Sequence, residues 1–309
     1  MTCPIYWSAT TARRPCHDDH VSTTPAPDHG QGFVASVVIP AHNEERGIAR
    51  NLAALLDGAG PLDIIVVCNG CTDTTAEVAR GFEPAVRVLE ITEASKSAAT
   101  RLGNASSDVF PRVHLDADVA LSGADLGRLL EPLARPGVLA TAPQRVIPRD
   151  GCHPVVRWYY DVWEQLPQVR NGLFGRGAFA LSREAQDRVS SLPTVMSDDL
   201  AASDAFRDSE RLVVETATVM VWPPRTIGDL MRRRIRVVTG NAQASQVGVR
   251  RADSATGLST LWGLARRRPA LVPRIGVFLA VTVVARLRAR RAARAGDFTT
   301  WQRDESSRA

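Results

Sequence analysis

Residues 34–45 read VASVVIPAHNEE and decide the fold class. Four β-branched residues precede Pro40, and a run of this kind is typical of a strand buried in a parallel sheet. Apolar residues then recur with the spacing of one helix face from Ile48 to Leu56, and Gly58 ends the pattern. The stretch therefore predicts a buried strand followed by an amphipathic helix.

The same alternation continues along the chain. Further strands are predicted at residues 63–67, 86–91, 109–115 and 139–143, and a helix is predicted at about residues 72–80. Because strands alternate with helices, the sequence predicts an α/β fold with a mostly parallel central sheet and helices on both faces. Such sheets bind ligands at the carboxyl ends of their strands.

Polar segments follow the first two predicted strands. The side chains of His42, Asn43 and Glu44 come after Pro40, and Asn69 comes after the second strand. Polar groups there can contact a base or a ribose, and an amide such as that of Asn69 both donates and accepts hydrogen bonds. The alternative is a pair of capped turns at helix N-termini that bind no ligand.

Asp116 and Asp118 close the strand predicted at residues 109–115. In an extended strand, side chains two residues apart lie on the same side, so both carboxylates can reach one hard cation. Mg²⁺ or Mn²⁺ held there can bridge a diphosphate and neutralise its charge as it departs. The alternative is a turn with solvated acids.

A second acidic pair, Asp198 and Asp199, follows the glycine-rich residues 171–179. Glycines allow the backbone to approach a sugar closely, and a carboxylate on the far side of that sugar could deprotonate an acceptor hydroxyl. The alternative is that the two acids only begin a helix.

In this order and spacing, the segments over residues 34–245 resemble the family 2 glycosyltransferases, which have the GT-A fold. The resemblance implies direct displacement with inversion, with Asp199 as general base beside Asp198 and with Arg236 assisting the departing diphosphate. It implies metal binding by Asp118 with Asp116. The residues implied in binding the nucleotide sugar are Pro40, His42, Asn43, Glu44, Asn69, Lys96 and Asp116.

Lys96 is the one lysine among 38 basic residues, and it opens a segment similar to the family's lysine-containing helix start near the donor. Arg236 lies in a segment, residues 233–240, that is similar to the family's Gln-x-x-Arg-Trp. Arg233 and Val237 replace Gln and Trp, which favours a single addition over polymerisation. The acceptor is expected to be a cell-envelope glycan or a lipid-linked compound.

Composition divides the chain into three parts. We predict a disordered leader at residues 1–32, a GT-A domain at residues 33–245 and a basic helical extension at residues 246–309. Residues 225–309 hold 18 arginines against 5 acidic residues, while the whole chain has a net charge of +5. The basic character therefore belongs to the C-terminal third.

That third contains an apolar stretch, residues 275–285, which is followed at once by an arginine cluster. As a helix the stretch is roughly 16 Å long, against about 30 Å of hydrocarbon in a bilayer. We therefore predict a peripheral anchor at the cytoplasmic face of the plasma membrane. The alternative is a core helix with a solvated basic tail. No nucleic-acid partner is expected, since no aromatic platform accompanies the arginines.

Five cysteines are scattered along the chain, which indicates a reducing compartment rather than a disulfide framework. Cys68 and Cys71 have CxxC spacing, but no second pair or nearby histidine completes a metal site. We interpret them as core and turn residues, with a redox role as the alternative. Two other functions stay open: a nucleotidyltransferase, and a non-catalytic nucleotide-sugar-binding protein at the membrane.

Overall fold

The computed structural model describes residues 32–195, 198–249 and 256–294, with side chains as far as Arg291. The leader predicted at residues 1–32 lies, apart from Gly32, outside the described residues.

The described residues form eight strands and eleven α-helices, joined by loops and by two short 3-10 turns. In chain order they are β1 (Ala35–Ala41), α1 (Ile48–Leu56), β2 (Leu62–Asn69), α2 (Thr75–Arg80), β3 (Val86–Ile91), α3 (Lys96–Ala105), β4 (Arg112–Leu115), β5 (Val119–Ala120), α4 (Gly123–Leu130), β6 (Ala140–Val146), α5 (Pro154–Trp163), α6 (Pro167–Asn171), β7 (Ala178–Leu181), α7 (Arg183–Ser190), α8 (Asp198–Asp204), β8 (Arg211–Val221), α9 (Ile227–Gln246), α10 (Leu258–Arg267) and α11 (Val272–Arg294).

All eight strands belong to one sheet in the order β3-β2-β1-β4-β7-β6-β8-β5. The pairs β3/β2, β2/β1, β1/β4 and β6/β8 are parallel, whereas β4/β7, β7/β6 and β8/β5 are antiparallel. The predicted α/β fold with a mostly parallel sheet is confirmed. The antiparallel pairs all lie in the part of the sheet that runs from β4 to β5.

Helices cover both faces of the parallel half of the sheet. Alternate residues of β2 separate the two layers: Ile64 packs in the large cluster that includes α1 and α4, and Ile65 packs in the cluster with Ala99 of α3. Both residues are buried, because each face of the strand is covered. The continuous apolar run that predicted a buried strand thus corresponds to a strand between two helical layers.

Two elements begin three residues later than predicted. Helix α2 begins at Thr75, three residues later than expected, because Oδ1 of Asp73 accepts from the Thr75 N–H at 3.0 Å and turns the preceding residues into a loop. Strand β4 begins only at Arg112, after Pro111, whose nitrogen has no proton to donate to a ladder. Helix α1 has the predicted bounds.

The C-terminal helices pack on the same body. Ile275, Phe278 and Val281 of α11 lie in a second apolar cluster with residues of α5 and α9. Helix α11 has 23 residues, so it is longer than the apolar stretch at residues 275–285. Within the described ranges, the segment Pro269–Arg291 is the one helix that is long and apolar enough to cross a membrane by length and composition.

Gly103 marks the closest approach of α3 to the sheet. A β-carbon on Gly103 would lie 2.4 Å from Cγ1 of Val38, which is fully buried in β1. We therefore expect Gly103→Ala to lower the free energy of unfolding by about 1–3 kcal/mol in urea denaturation.

Gly127 of α4 is the matched control, since a β-carbon there would meet nothing within 4 Å. Gly127→Ala should raise the free energy of unfolding by up to about 1 kcal/mol through helix propensity. Equal effects of the two substitutions would contradict the close packing of α3 on β1.

Candidate active site

The loops after β1 and β2 form one surface at the carboxyl edge of the sheet. The parallel register pairs Ala41 with Cys68, so the two strands end side by side. Nδ1 of His42 lies 2.6 Å from the carbonyl oxygen of Asn69, and Oδ1 of Asn43 accepts from the Thr72 N–H at 2.8 Å. Two segments that are 27 to 29 residues apart in sequence are therefore held as one unit.

Asn69 and Glu44 shape these loops from inside. The Asn69 side chain is only 3% exposed, and its Nδ2 donates to the Ala41 carbonyl oxygen at 2.8 Å. Glu44 is also buried, and its N–H donates to Oγ1 of Thr75 at 2.7 Å. The sequence analysis assigned the Asn69 amide to binding a base. In the structure this amide joins the end of β2 to the end of β1.

Asp116 and Asp118 lie on a turn that is fixed from two sides. The Asp116 N–H donates to the Gly177 carbonyl oxygen at 2.7 Å, and Nδ2 of Asn51 on α1 donates to the Ala117 carbonyl oxygen at 2.7 Å. Gly177 has φ of +67°, and a β-carbon there would lie 2.5 Å from a Val119 methyl. The glycine-rich segment thus supports the carboxylates of the earlier motif directly.

Lys96 connects the two acidic motifs. Its Nζ lies 2.8 Å from Oδ1 of Asp116 and 3.2 Å from Oδ2 of Asp198, with the Lys96 and Asp116 side chains 36% and 38% exposed. Burial by itself lowers the pKa of Lys96, but Asp116, Asp198 and Asp199 outweigh it and raise that pKa well above its usual value. The chain's single lysine therefore stays charged among three carboxylates.

The same crowding acts in the opposite direction on Asp116. Burial raises the pKa of Asp116 above its ordinary value. The neighbouring carboxylates of Asp118 and Asp198 raise this pKa further, whereas the Lys96 ammonium lowers it. A second positive charge near Asp116 would relieve this accumulation of negative charge.

Asp198 and Asp199 begin α8 and face the same space as Asp116. Oδ2 of Asp199 accepts from the Gly175 N–H at 2.8 Å, while Oδ1 of Asp198 accepts from the Asp199 N–H at 2.9 Å. The two carboxylates therefore have different partners: Asp199 is held by the glycine-rich loop, and Asp198 is paired with Lys96.

These groups open into a cavity of about 580 Å³ between α3 and α7. Its lining includes Pro40, Lys96, Asp116, Asp198 and Asp199, together with residues of β4 and β7. A volume of this size is within the usual range of small-molecule sites.

His114 and Gln186 lie in this cavity and were not among the predicted site residues. Nε2 of His114 and Oε1 of Gln186 are 2.8 Å apart, and the His114 ring stacks on Phe179 with centroids 4.8 Å apart. Burial lowers the pKa of His114 to about 4, so its ring is neutral at neutral pH. The two-residue period of β4, which places residues 112, 114 and 116 on one face, is the sequence signal that could have found it.

Six predicted site residues do not line the cavity, and two of them, Glu44 and Asn69, are buried in the loops after β1 and β2. His42 and Asn43 lie on the loop surface above β1, and Arg236 lies on α9. Asp118 is likewise absent from the cavity wall, although it follows Asp116 on the same turn.

The described side chains offer no group of three or more His, Cys, Asp or Glu residues placed to hold a metal ion. Asp116 and Asp118 nevertheless fit a weaker kind of site, because Mg²⁺ is usually held by one or two carboxylates together with substrate phosphates. The arrangement is suited to a cation that arrives with a diphosphate.

Comparison with known proteins supports this interpretation of the fold. A mannosyltransferase from Pyrobaculum calidifontis, solved in complex with GDP-Man and Mn²⁺, superposes with a TM-score of 0.55 at 20% identity, covering 92% of this chain and 87% of that chain. Glucosyl-3-phosphoglycerate synthase from Mycobacterium tuberculosis, in complex with phosphoglyceric acid, superposes with a TM-score of 0.51 at 20% identity, covering 72% and 82%. The fold is of the GT-A class.

The sequence comparisons point in the same direction. The Glycosyl transferase family 2 model matches residues 36–177, which agrees with the resemblance of the sequence motifs to that family. A 4,4'-diaponeurosporenoate glycosyltransferase from Staphylococcus aureus is 30% identical over 122 residues. That match covers 37% of this chain and 32% of the relative, so the chain spans only about a third of the relative's length.

Proposed function

We propose that this protein is an inverting glycosyltransferase that moves a sugar from a nucleotide-diphosphate sugar to an acceptor hydroxyl. The observation that carries the proposal is the contact of Lys96 with both Asp116 and Asp198, at 2.8 and 3.2 Å. This contact joins the carboxylates that follow β4 to the acidic pair of α8. A donor diphosphate and an acceptor hydroxyl would therefore meet in one site.

The nucleotide is proposed to lie on the paired loops after β1 and β2. His42 and Asn43 are the partly exposed side chains there, while Glu44 and Asn69 would act by fixing the loop conformation. Lys96 would supply positive charge to the diphosphate beside Asp116.

Asp118 and Asp116 are proposed to hold Mg²⁺ or Mn²⁺ together with the donor. A bound divalent cation would neutralise charge on the departing diphosphate. Burial and the neighbouring carboxylates raise the pKa of Asp116. A cation bound beside Asp116 would stabilise the charged form of this carboxylate. The mannosyltransferase of similar fold, solved with GDP-Man and Mn²⁺, supports the same assignment.

Asp199 is proposed as the general base. Asp198 is ion-paired with Lys96, so its carboxylate already interacts with a cation. Asp199 is held instead by the Gly175 N–H and faces the cavity, where an acceptor hydroxyl would approach. With the base on one side of the sugar and the diphosphate on the other, direct displacement inverts the anomeric carbon. Arg236 of α9 is proposed to assist the departing diphosphate.

The acceptor is proposed to be a cell-envelope glycan or a lipid-linked compound that enters the cavity beside Asp199. Apolar side chains form much of the cavity wall, including Phe179, Val189, Leu192 and Val195. These apolar side chains favour an acceptor of either class that has an apolar portion.

We also propose that α10 and α11 attach the protein to the cytoplasmic face of a membrane without crossing it. Helix α11 packs one face, from Ile275 to Ala289, on α5 and α9, and a span across the bilayer would have to break that packing. Its other face is apolar and exposed, and Leu287 is 52% exposed. Trp262 of α10 is 68% exposed. Exposed arginines follow at 286, 288, 290 and 291, and they suit anionic lipid.

Substitution of Asp118 tests the metal and donor assignment. In a thermal-shift panel with Mn²⁺ or Mg²⁺, one nucleotide sugar should stabilise the wild-type protein by mass action. Asp118→Asn should lose this metal-dependent stabilisation and keep the melting temperature of the unliganded protein, since Asp118 lies on a turn and outside the apolar clusters.

Asp208→Asn is the matched control, because the Asp208 side chain is 83% exposed and pairs with Arg211 instead. It should bind the donor as the wild type does. Unchanged donor affinity of Asp118→Asn in calorimetry would overturn the assignment.

The two acids of α8 should separate by function. Asp199→Asn should keep donor and metal binding and lose transfer by at least about 100-fold, because an amide cannot take the acceptor proton. Asp198→Asn should mainly weaken donor binding, because it removes one of the two carboxylates that hold Lys96. The measurement is release of nucleoside diphosphate that depends on acceptor.

If Asp198→Asn is inactive and Asp199→Asn is active, the two roles are reversed. Release of pyrophosphate when the protein is given a nucleoside triphosphate and a sugar phosphate would instead indicate a nucleotidyltransferase. Donor binding without any release would indicate a non-catalytic binding protein.

Flotation with liposomes tests the membrane surface. The full chain should float with vesicles that contain phosphatidylglycerol, and high salt should reduce flotation without abolishing it, since salt screens only the arginine contribution. The double variant Trp262→Ser, Leu287→Gln should float much less.

Leu212→Gln is the control, because Leu212 is also an exposed apolar residue, at 37%, but lies on β8. Equal flotation of the double variant and this control would show that attachment lies elsewhere. Release only by detergent would indicate a membrane span.

A further inference from the structure

Cys68 and Cys71 converge on one point at the end of β2. Cys68 is paired with Ala41 in the register of β1 and β2. The thiol of Cys71 lies 3.6 Å from the Ala41 carbonyl oxygen, and Cys71 packs against the apolar cluster that contains Cys68. The CxxC spacing of the sequence thus places both cysteines beside Ala41.

The turn that brings the sulfurs together is fixed by Gly70. Its φ is +55°, and a β-carbon there would lie 2.8 Å from the backbone nitrogen of Ala94. Both the conformation and the space require glycine. The cysteines on either side are therefore held near each other by the fold.

The two thiols differ in reactivity. The hydrogen bond from Cys68, together with the Asn43 N–H that points at the Cys71 sulfur from 3.5 Å, lowers the pKa of Cys71 to about 6. The same contact and burial raise the pKa of Cys68. Cys71 is partly exposed and Cys68 is buried. This is the division between an attacking thiolate and a resolving thiol.

We propose that Cys68 and Cys71 are a site of reversible oxidation by hydrogen peroxide that weakens nucleotide binding. The Cys71 thiolate attacks one peroxide oxygen, the O–O bond breaks, and the products are a sulfenic acid and hydroxide. The Cys68 sulfur then attacks the Cys71 sulfur, and the sulfenic oxygen leaves as water. In total, two thiols and one peroxide give one disulfide and two waters, and a dithiol reverses the change by exchange.

The link to binding is the loop that carries Asn43. The Cys71 sulfur now accepts from the Asn43 N–H, and the Asn43 side chain donates to and accepts from Thr72. A neutral disulfide sulfur is a poorer acceptor than a thiolate. Oxidation should therefore loosen the loop on which the nucleotide is proposed to lie, and this consequence rests on the proposed function.

The first measurement is chemical and needs no ligand. The full chain is treated with hydrogen peroxide, and its cysteine peptides are mapped by mass spectrometry with and without dithiothreitol. A Cys68–Cys71 disulfide should form in the wild type and in Cys152→Ser, whose altered residue is buried in another cluster. In Cys68→Ser, Cys71 should instead be trapped by dimedone as a sulfenic acid. Absence of the disulfide in the wild type overturns the proposal.

The second measurement is nucleotide binding. Oxidation should lower the affinity of the wild type for UDP or GDP with Mn²⁺ at least about fivefold, and dithiothreitol should restore it. Cys71→Ser, which lacks the attacking thiolate, should keep its affinity after the same peroxide treatment. A disulfide that leaves the affinity unchanged overturns the regulatory effect. If the reduced protein binds neither nucleotide, the proposed function fails, while the peptide map still decides whether the dithiol is oxidised.

Discussion

The ion pairs of Lys96 are the interaction on which the rest of the site depends. Asp116 follows a strand in the middle of the sheet, and Asp198 begins a helix 82 residues later along the chain. Two carboxylates brought this close repel each other, and a single ammonium between them offsets that repulsion. The charge of Lys96 thus allows the two acidic motifs to share one cavity before any ligand arrives.

The change from parallel to antiparallel pairing beside β4 contributes to this arrangement. The parallel strands β1, β2 and β4 deliver their loops to one edge, as an α/β sheet requires. The antiparallel strand β7 then places Gly177 against the backbone of Asp116. Through this contact the glycine-rich loop supports both acidic motifs, since Gly175 holds Asp199 as well.

The C-terminal helices illustrate how one sequence pattern can satisfy two requirements. The residues of α11 that recur at helical spacing pack on α5 and α9, while the residues between them leave an exposed apolar face beside the arginines. Hydropathy averages over both faces, so it could show that the segment was apolar but not that one face of the helix was already covered.

The sequence by itself determined the alternation of strands and helices, the bounds of α1 and the segments that carry the acidic residues. These are local properties: β-branched runs, helical periodicity and polar residues at strand ends depend on neighbours in the chain. The tertiary structure alone decided that Lys96 joins Asp116 to Asp198, that Asn69 is buried against Ala41, and that Gln186 of α7 lies against His114. Each of these depends on which strands are adjacent and which helix crosses them, and contacts between residues tens of positions apart leave no local periodicity in a single sequence.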